Sequence, residues 1–242
     1  MRWWARRLGL GLAILVLGGL GLGRLARSRT YQVVGRLVSR VETTERVVAL
    51  TFDDGPSPEH LAEVLGALES RGVKATFFVI GAELAASPEA GRRLVAAGHE
   101  LGNHTYSHDH MVFKSSGFIR REVESTDELI RAAGFRGPIH FRPPYCWKLF
   151  ALPWFLWRTG RTSVTWDLEP DSLPGVAATA NEIVADVRRN VRPGSIILLH
   201  VWYPSGAASR AAIPAMIDAL RADGYCFSTV DELLTRATHT AS

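Results

Sequence analysis

The chain has 242 residues with 28 Lys and Arg against 24 Asp and Glu, a formal net charge of +4 and a sequence pI near 9.4. Six of those bases, Arg2, Arg6, Arg7, Arg24, Arg27 and Arg29, lie in the first thirty residues, which hold no acid, so the remainder carries 22 bases against 24 acids. That balance, with no basic stripe interleaved with aromatics, excludes nucleic acid as a partner, and the length suits one domain with a sizeable core.

In chain order the first element is a leader. Leu8 to Gly23 carries no charge, is flanked by Arg on both sides and follows Trp3 and Trp4, the pattern of a membrane-inserting segment. Its sixteen residues fall short of the roughly 20 that span a bilayer, although snorkelling by Arg7 and Arg24 extends its reach. No Ala-x-Ala site follows, so residues 1–30 read as an uncleaved membrane anchor rather than a removed signal, and residues 31–242 as the folded body.

Tyr31 to Thr44 reads as an extended arm. From Val47 onward apolar runs alternate with amphipathic segments, the order of βα units. The run "VALTF" ends in Asp53-Asp54-Gly55-Pro56, and Ser57-Pro58 then starts a helix whose apolar face is Leu61, Val64, Leu65 and Leu68. Further strands are expected at Val73–Ile80, Ile139–Arg142, Thr162–Trp166, Ser195–Leu199 and Tyr225–Thr229. Helices are expected near Pro88–Ala97, Phe118–Ala133, Phe150–Arg158, Ala180–Asn190, Ser209–Ala222 and Val230–Arg236. About seven strands alternating with helices give an α/β fold, a distorted (β/α) barrel preceded by the membrane segment.

Polar residues gather just past the apolar runs: Asp53 and Asp54, His104 and His108, Arg142 to Tyr145, Asp167 to Asp171, and His200. In a (β/α) barrel these strand ends share one face. His104 and His108, four apart, suit one face of a helical turn, and with one carboxylate they make a two-His, one-carboxylate metal site that Asp54 could complete. Asp53 would then stay off the metal as a base, which gives two adjacent acids different tasks.

The five motifs "TFDDG", "HTYSH", "RPPY", "WDLEPDS" and "LLH", in that order between residues 47 and 200, resemble those of the polysaccharide deacetylase family, the NodB-homology carbohydrate esterases. The resemblance implies Asp53 as catalytic base and Asp54, His104 and His108 as ligands of a divalent metal, zinc by default, with cobalt, nickel or iron as alternatives. It also implies Arg142 orienting the base, the Tyr145 backbone N–H holding the oxyanion, His200 as general acid and Asp171 tuning that His. Two positions depart from the family pattern. Ser172 stands where Trp usually follows Asp171, which keeps Asp167 open as the partner of His200, and Cys146 stands where Gly commonly follows the Tyr of "RPPY".

The resemblance implies removal of N-acetyl groups from a GlcNAc-containing polysaccharide, peptidoglycan or a chitin-like polymer, by a membrane-anchored enzyme whose catalytic domain is extracytoplasmic, or secreted if the leader is cleaved. The alternatives are a deformylase or deacetylase of a lipid-linked sugar, and a catalytically silent glycan-binding domain. Cys146 and Cys226 are expected as packed free thiols. His60, His99, His110, His140 and His239 are expected to be ordinary hydrogen-bonded histidines, and Trp147, Trp154, Phe155 and Trp157 read first as helix core, with a partly exposed subset open to glycan or membrane contact. Trp202 and Tyr203 are equally open to a core or a sugar-facing role.

Overall fold

The computed structural model describes residues 18–19, 21–172 and 179–239. In chain order the strands are β1 (Leu37–Val38), β2 (Val47–Asp53), β3 (Thr76–Val79), β4 (Glu100–Asn103), β5 (Ser163–Val164), β6 (Ile196–His200) and β7 (Cys226–Ser228). The helices are α1 (Pro58–Glu69), α2 (Gly81–Ala86), α3 (Pro88–Ala96), α4 (Ser116–Ala132), α5 (Ala151–Arg158), α6 (Ala180–Asn190), α7 (Ala207–Ala222) and α8 (Val230–His239).

The strands run parallel in the order β4-β3-β2-β6, with β7 on the start of β2 and β1 on β5. Single bridges carry the ring onward: Asn103 to Phe141, Phe141 to Ser163, and Leu168 back to Ile197 of β6. The result is a barrel-like α/β fold in which β2 is buried along its whole length. Such a strand reads as a continuous apolar run because both faces are covered.

Alternation along β2 separates two cores. Val48, Leu50 and Phe52 join the cluster beneath the helices, with Leu61, Val64, Leu65 and Leu68 of α1. Val47 and Ala49 join the inner cluster with Phe78, Val164, Trp166, Ile196 and Leu198. Thr51 and Asp53 share the inward parity and are both buried, so polar groups cap an apolar barrel interior. Each fully buried aliphatic side chain contributes about 1.5–3 kcal/mol.

Several expectations are corrected. The segment Ile139–Arg142 has one bridging residue, Phe141, which pairs with Asn103 and Ser163, rather than a strand, and only Leu37–Val38 of the arm is strand. Helix α2 had no sequence signal: it is six residues long and starts at a glycine. At the start of α1, Ser57 occupies the cap position without a side-chain hydrogen bond, whereas Ser115 and Thr179 accept from Phe118 N–H and Glu182 N–H at the starts of α4 and α6. The core of α5 is Leu152, Pro153 and Leu156, with Trp154 and Trp157 about half exposed, because they lie on the opposite face of the helix. Cys226 is an exposed free thiol and not a packed one, while Cys146 is buried.

The anchor expected over residues 1–30 falls largely outside the described residues. Among those described, no helix is long and apolar enough to cross a membrane.

Candidate active site

The register of the barrel assembles the site before any side chain is considered. Asp53 at the end of β2 is paired with His200 at the end of β6 and with Phe78 of β3. His104 N–H bonds to Val79 O, Arg142 N–H bonds to Asn103 O, and His104 Nδ1 lies 2.7 Å from Arg142 O. Parallel pairing thus carries residues about 40 to 150 positions apart in the sequence to one mouth.

Asp53 and Arg142 form the buried electrostatic centre. Arg142 is 0% exposed and donates through Nη1 to Asp53 Oδ1 at 2.6 Å and to Thr51 Oγ1 at 2.9 Å. Nε and Nη2 reach Val164 O and Thr165 O, and the guanidinium lies 4.0 Å from the Phe78 ring centroid. Burial pulls the guanidinium below its ordinary pKa, and the Asp53 carboxylate opposes that shift. With Oδ1 held, Asp53 Oδ2 faces His104 Nε2 at 3.7 Å.

Beside it, Asp54, His104 and His108 bring one donor atom each within 4.8 Å of one another. His108 Nε2 is 3.3 Å and His104 Nε2 3.8 Å from Asp54 Oδ1, a buried oxygen with no hydrogen-bond partner. Donation from His104 Nδ1 to Arg142 O would leave Nε2 with a lone pair facing Asp54. Burial raises the Asp54 pKa and lowers that of His108 to about 4, so His108 is neutral at physiological pH. An orphaned carboxylate oxygen between two imidazole nitrogens fits a divalent cation.

The two histidines meet through a loop and not the expected helical turn. Thr105 and His108 have φ of 67° and 59°, as Asp54 does at 72°. Each costs of order 1–3 kcal/mol and persists only where the surroundings hold it. Here Glu122 of α4 accepts from Tyr106 N–H, Ser107 N–H and Ser107 Oγ–H, and Asn103 Oδ1 accepts from Thr105 N–H. Gly55 has φ 63°, and a Cβ there would lie 2.5 Å from the buried Trp202 ring. Trp202 is therefore core, while Tyr203, 41% exposed, reaches Glu83 Oε1 at 2.5 Å on the rim.

Across the mouth, His200 Nδ1 is 3.3 Å from Asp171 Oδ1, and Asp171 Oδ2 accepts from His200 N–H and Ser209 Oγ–H. Asp167 instead accepts from Ser195 Oγ–H and Ile196 N–H at the start of β6, so of the two acids Asp171 is the one that meets His200. Burial works against a charged His200, but the hydrogen bond and charge of Asp171, with Asp53 and Asp54, push its pKa up to about 9.

Pro144–Cys146 forms a 3-10 turn with Tyr145 at φ 52°, ψ 18°. The turn bonds run from Cys146 N–H and Trp147 N–H, leaving the Tyr145 N–H outside them. The Tyr145 ring stacks on His110 at 4.4 Å, so His110 packs on the site without entering it. Asp53, Asp54, His104, His108, Tyr145 and His200 together line a cavity of about 560 Å³ that Trp166 and Glu169 also bound.

Sequence reasoning missed Thr51, Glu122, Ser209 and Glu83. Thr51 had a signal, since it lies two residues before Asp53 on the same strand face. The others act from distant elements and carry none.

Residues 40–147 match the family model for polysaccharide deacetylase. A chitooligosaccharide deacetylase from a Bradyrhizobium species is 38% identical over 195 residues, covering 74% of this chain and 87% of its own. The chain belongs to the polysaccharide deacetylase family. A crystal structure of a peptidoglycan N-acetylglucosamine deacetylase is 31% identical with a TM-score of 0.75, covering 81% of this chain and 91% of that one. A CE4 family pseudoenzyme from Bacillus anthracis is 26% identical with a TM-score of 0.74, covering 82% and 69%. Membership in this fold therefore accommodates inactive proteins, and the side chains at the mouth carry the question of activity.

Proposed function

We propose that this polysaccharide deacetylase removes N-acetyl groups from a GlcNAc-containing glycan, peptidoglycan or chitin-like, in a metal-dependent hydrolysis. The observation that carries the reading is the Arg142-held Asp53 beside a convergent Asp54, His104 and His108, opposite the Asp171-paired His200. A structural metal site alone would need neither a buried arginine on Asp53 nor a charged histidine across the mouth.

Asp54, His104 and His108 would hold the cation, and zinc, cobalt, nickel or iron(II) all accept that donor set. When bound, such an ion supplies a Lewis acid and lowers the pKa of a water. Asp53, with Oδ1 fixed by Arg142 and Oδ2 free, takes the proton of the attacking water. As the amide carbon becomes tetrahedral, the Tyr145 N–H donates to the developing oxyanion. The C–N bond then breaks as His200, charged at neutral pH, gives its proton to the nitrogen, releasing acetate and the free amine.

The uncharged, Arg-flanked Leu8–Gly23 supports membrane anchoring of the catalytic domain. The test of the reaction is product analysis by the full chain on N-acetylglucosamine oligomers, peptidoglycan and a lipid-linked formamido sugar. Acetate from the first two supports the proposal. Formate from the third alone replaces it with a deformylase, and glycan binding with no release under any metal replaces it with a binding domain.

A further inference from the structure

The segment between the leader and the arm is wired into the mouth of the barrel. Ala26 is buried, and its carbonyl accepts Lys148 N–H at 2.8 Å. Ser28 O accepts from Lys148 Nζ, and from Cys146 Sγ at 3.6 Å, with Lys148 Nζ also 3.6 Å from Cys146 Sγ. Arg29 O accepts from Thr165 Oγ1 at 2.6 Å. The Arg29 side chain lies over Trp166 and 3.6 Å from Glu169, which accepts from Trp166 Nε1.

Lys148 is only 1% exposed and Cys146 only 4%. A lysine is almost never so buried without partners, and these partners belong to the loop just past Tyr145 and to residue 28. Tyr145 and Cys146 are consecutive left-handed residues, φ 52° and 59°. Two non-glycine residues in that region stay there only where neighbours over-determine them. Within the loop two turn bonds hold them. Tyr145 also stacks on His110 and Cys146 packs in the inner cluster, and the Ala26–Arg29 strap adds hydrogen bonds to Cys146 and Lys148 from the chain ahead of the arm.

We propose that Ala26–Arg29 is a positioning strap for the reaction: by clamping Cys146 and Lys148 it sets the Tyr145 N–H where the oxyanion develops. Lys148 and Cys146 are positioning residues, and residues before the arm are thereby part of the working enzyme. The proposal rests on the deacetylase reading for the role of Tyr145. A chain cut at residue 30 would lose the strap.

The test compares the full chain with Lys148→Met, which keeps the length and removes the donor, and with Thr165→Val, which releases the strap at its other end. Expected are faster amide hydrogen exchange at residues 144–148 and a kcat for acetate release lower by about 10- to 100-fold. KM should stay within about twofold and metal affinity by calorimetry should not change, since an oxyanion donor acts in the transition state. The double variant should be little worse than Lys148→Met. Unchanged exchange, or faster exchange with an unchanged kcat in either folded variant, would overturn the strap. A wild type that releases no acetate would defeat the deacetylase reading by itself, and the exchange comparison would still decide whether the strap holds the loop.

Discussion

Arg142 Nη1 and Asp53 Oδ1 meet at 2.6 Å inside the barrel, with the arginine 0% exposed and the aspartate 2% exposed. The pair fixes one carboxylate oxygen and leaves the other toward the mouth. Removing the arginine would leave a buried charge without its partner, which costs about 3–5 kcal/mol. Arg142→Met should therefore unfold at markedly lower denaturant, and Asp53→Asn, which keeps an acceptor for Arg142 but removes its counter-charge, should also lose stability while losing about 10²- to 10⁴-fold in kcat. Parallel denaturation and rate measurements check both halves.

With His200 as the proposed general acid, the alkaline limb of the rate profile should follow the titration of this histidine. Its pKa is raised to about 9 from an ordinary 6.5, so it holds its proton at neutral pH and kcat should fall as pH rises through about 9. Any stability gained from its pairing follows the same sign: complete below pH 6.5, lost through 9. Asp171→Asn removes the principal support of the charge and should move the limb toward 6.5. A pH–rate profile of each protein measures this. A cation in the site would weaken the contributions of Asp53 and Asp54, leaving Asp171 as the group whose removal matters most.

Gly55→Ala meets two obstacles, a φ of 63° and a Trp202 ring 2.5 Å from the new Cβ. Overpacking of this kind costs about 1–3 kcal/mol, and the backbone shift that relieves it displaces Asp54. Thermal unfolding and metal titration should both report losses.

Glu122 gathers three donors from the 106–107 loop without touching the candidate ligands. Glu122→Ala should lower metal affinity by about 10- to 100-fold, as outer-shell losses do, with the barrel still folded. Calorimetric titration with zinc after chelation, beside circular dichroism, checks both.

The barrel was legible because β2 writes its burial as a continuous apolar run and α1 as an apolar period of 3.6, so Leu61, Val64, Leu65 and Leu68 and the run from Val47 to Phe52 could be read directly. Asp53, Asp54, His104, His108, Arg142 and His200 were legible as motifs at strand ends. Hidden from the sequence was whatever depends on long-range register. His104–His108 is a loop because Glu122 supplies its donors with an acceptor. Asp171 rather than Asp167 reaches His200 because the 167–171 segment turns between them. Cys146 looked like a local departure in one motif until Lys148 and Ser28 explained its surroundings.

The measurement that bears most directly on the central claim is acetate release from N-acetylglucosamine oligomers by the chelated full chain, before and after resupply of single divalent metals, beside Asp53→Asn. The expected result is no acetate after chelation, recovery with metal in the wild type, and no recovery in Asp53→Asn despite equal metal binding. Acetate release that survives chelation, or that persists in Asp53→Asn, would contradict a metal-dependent hydrolysis driven by Asp53.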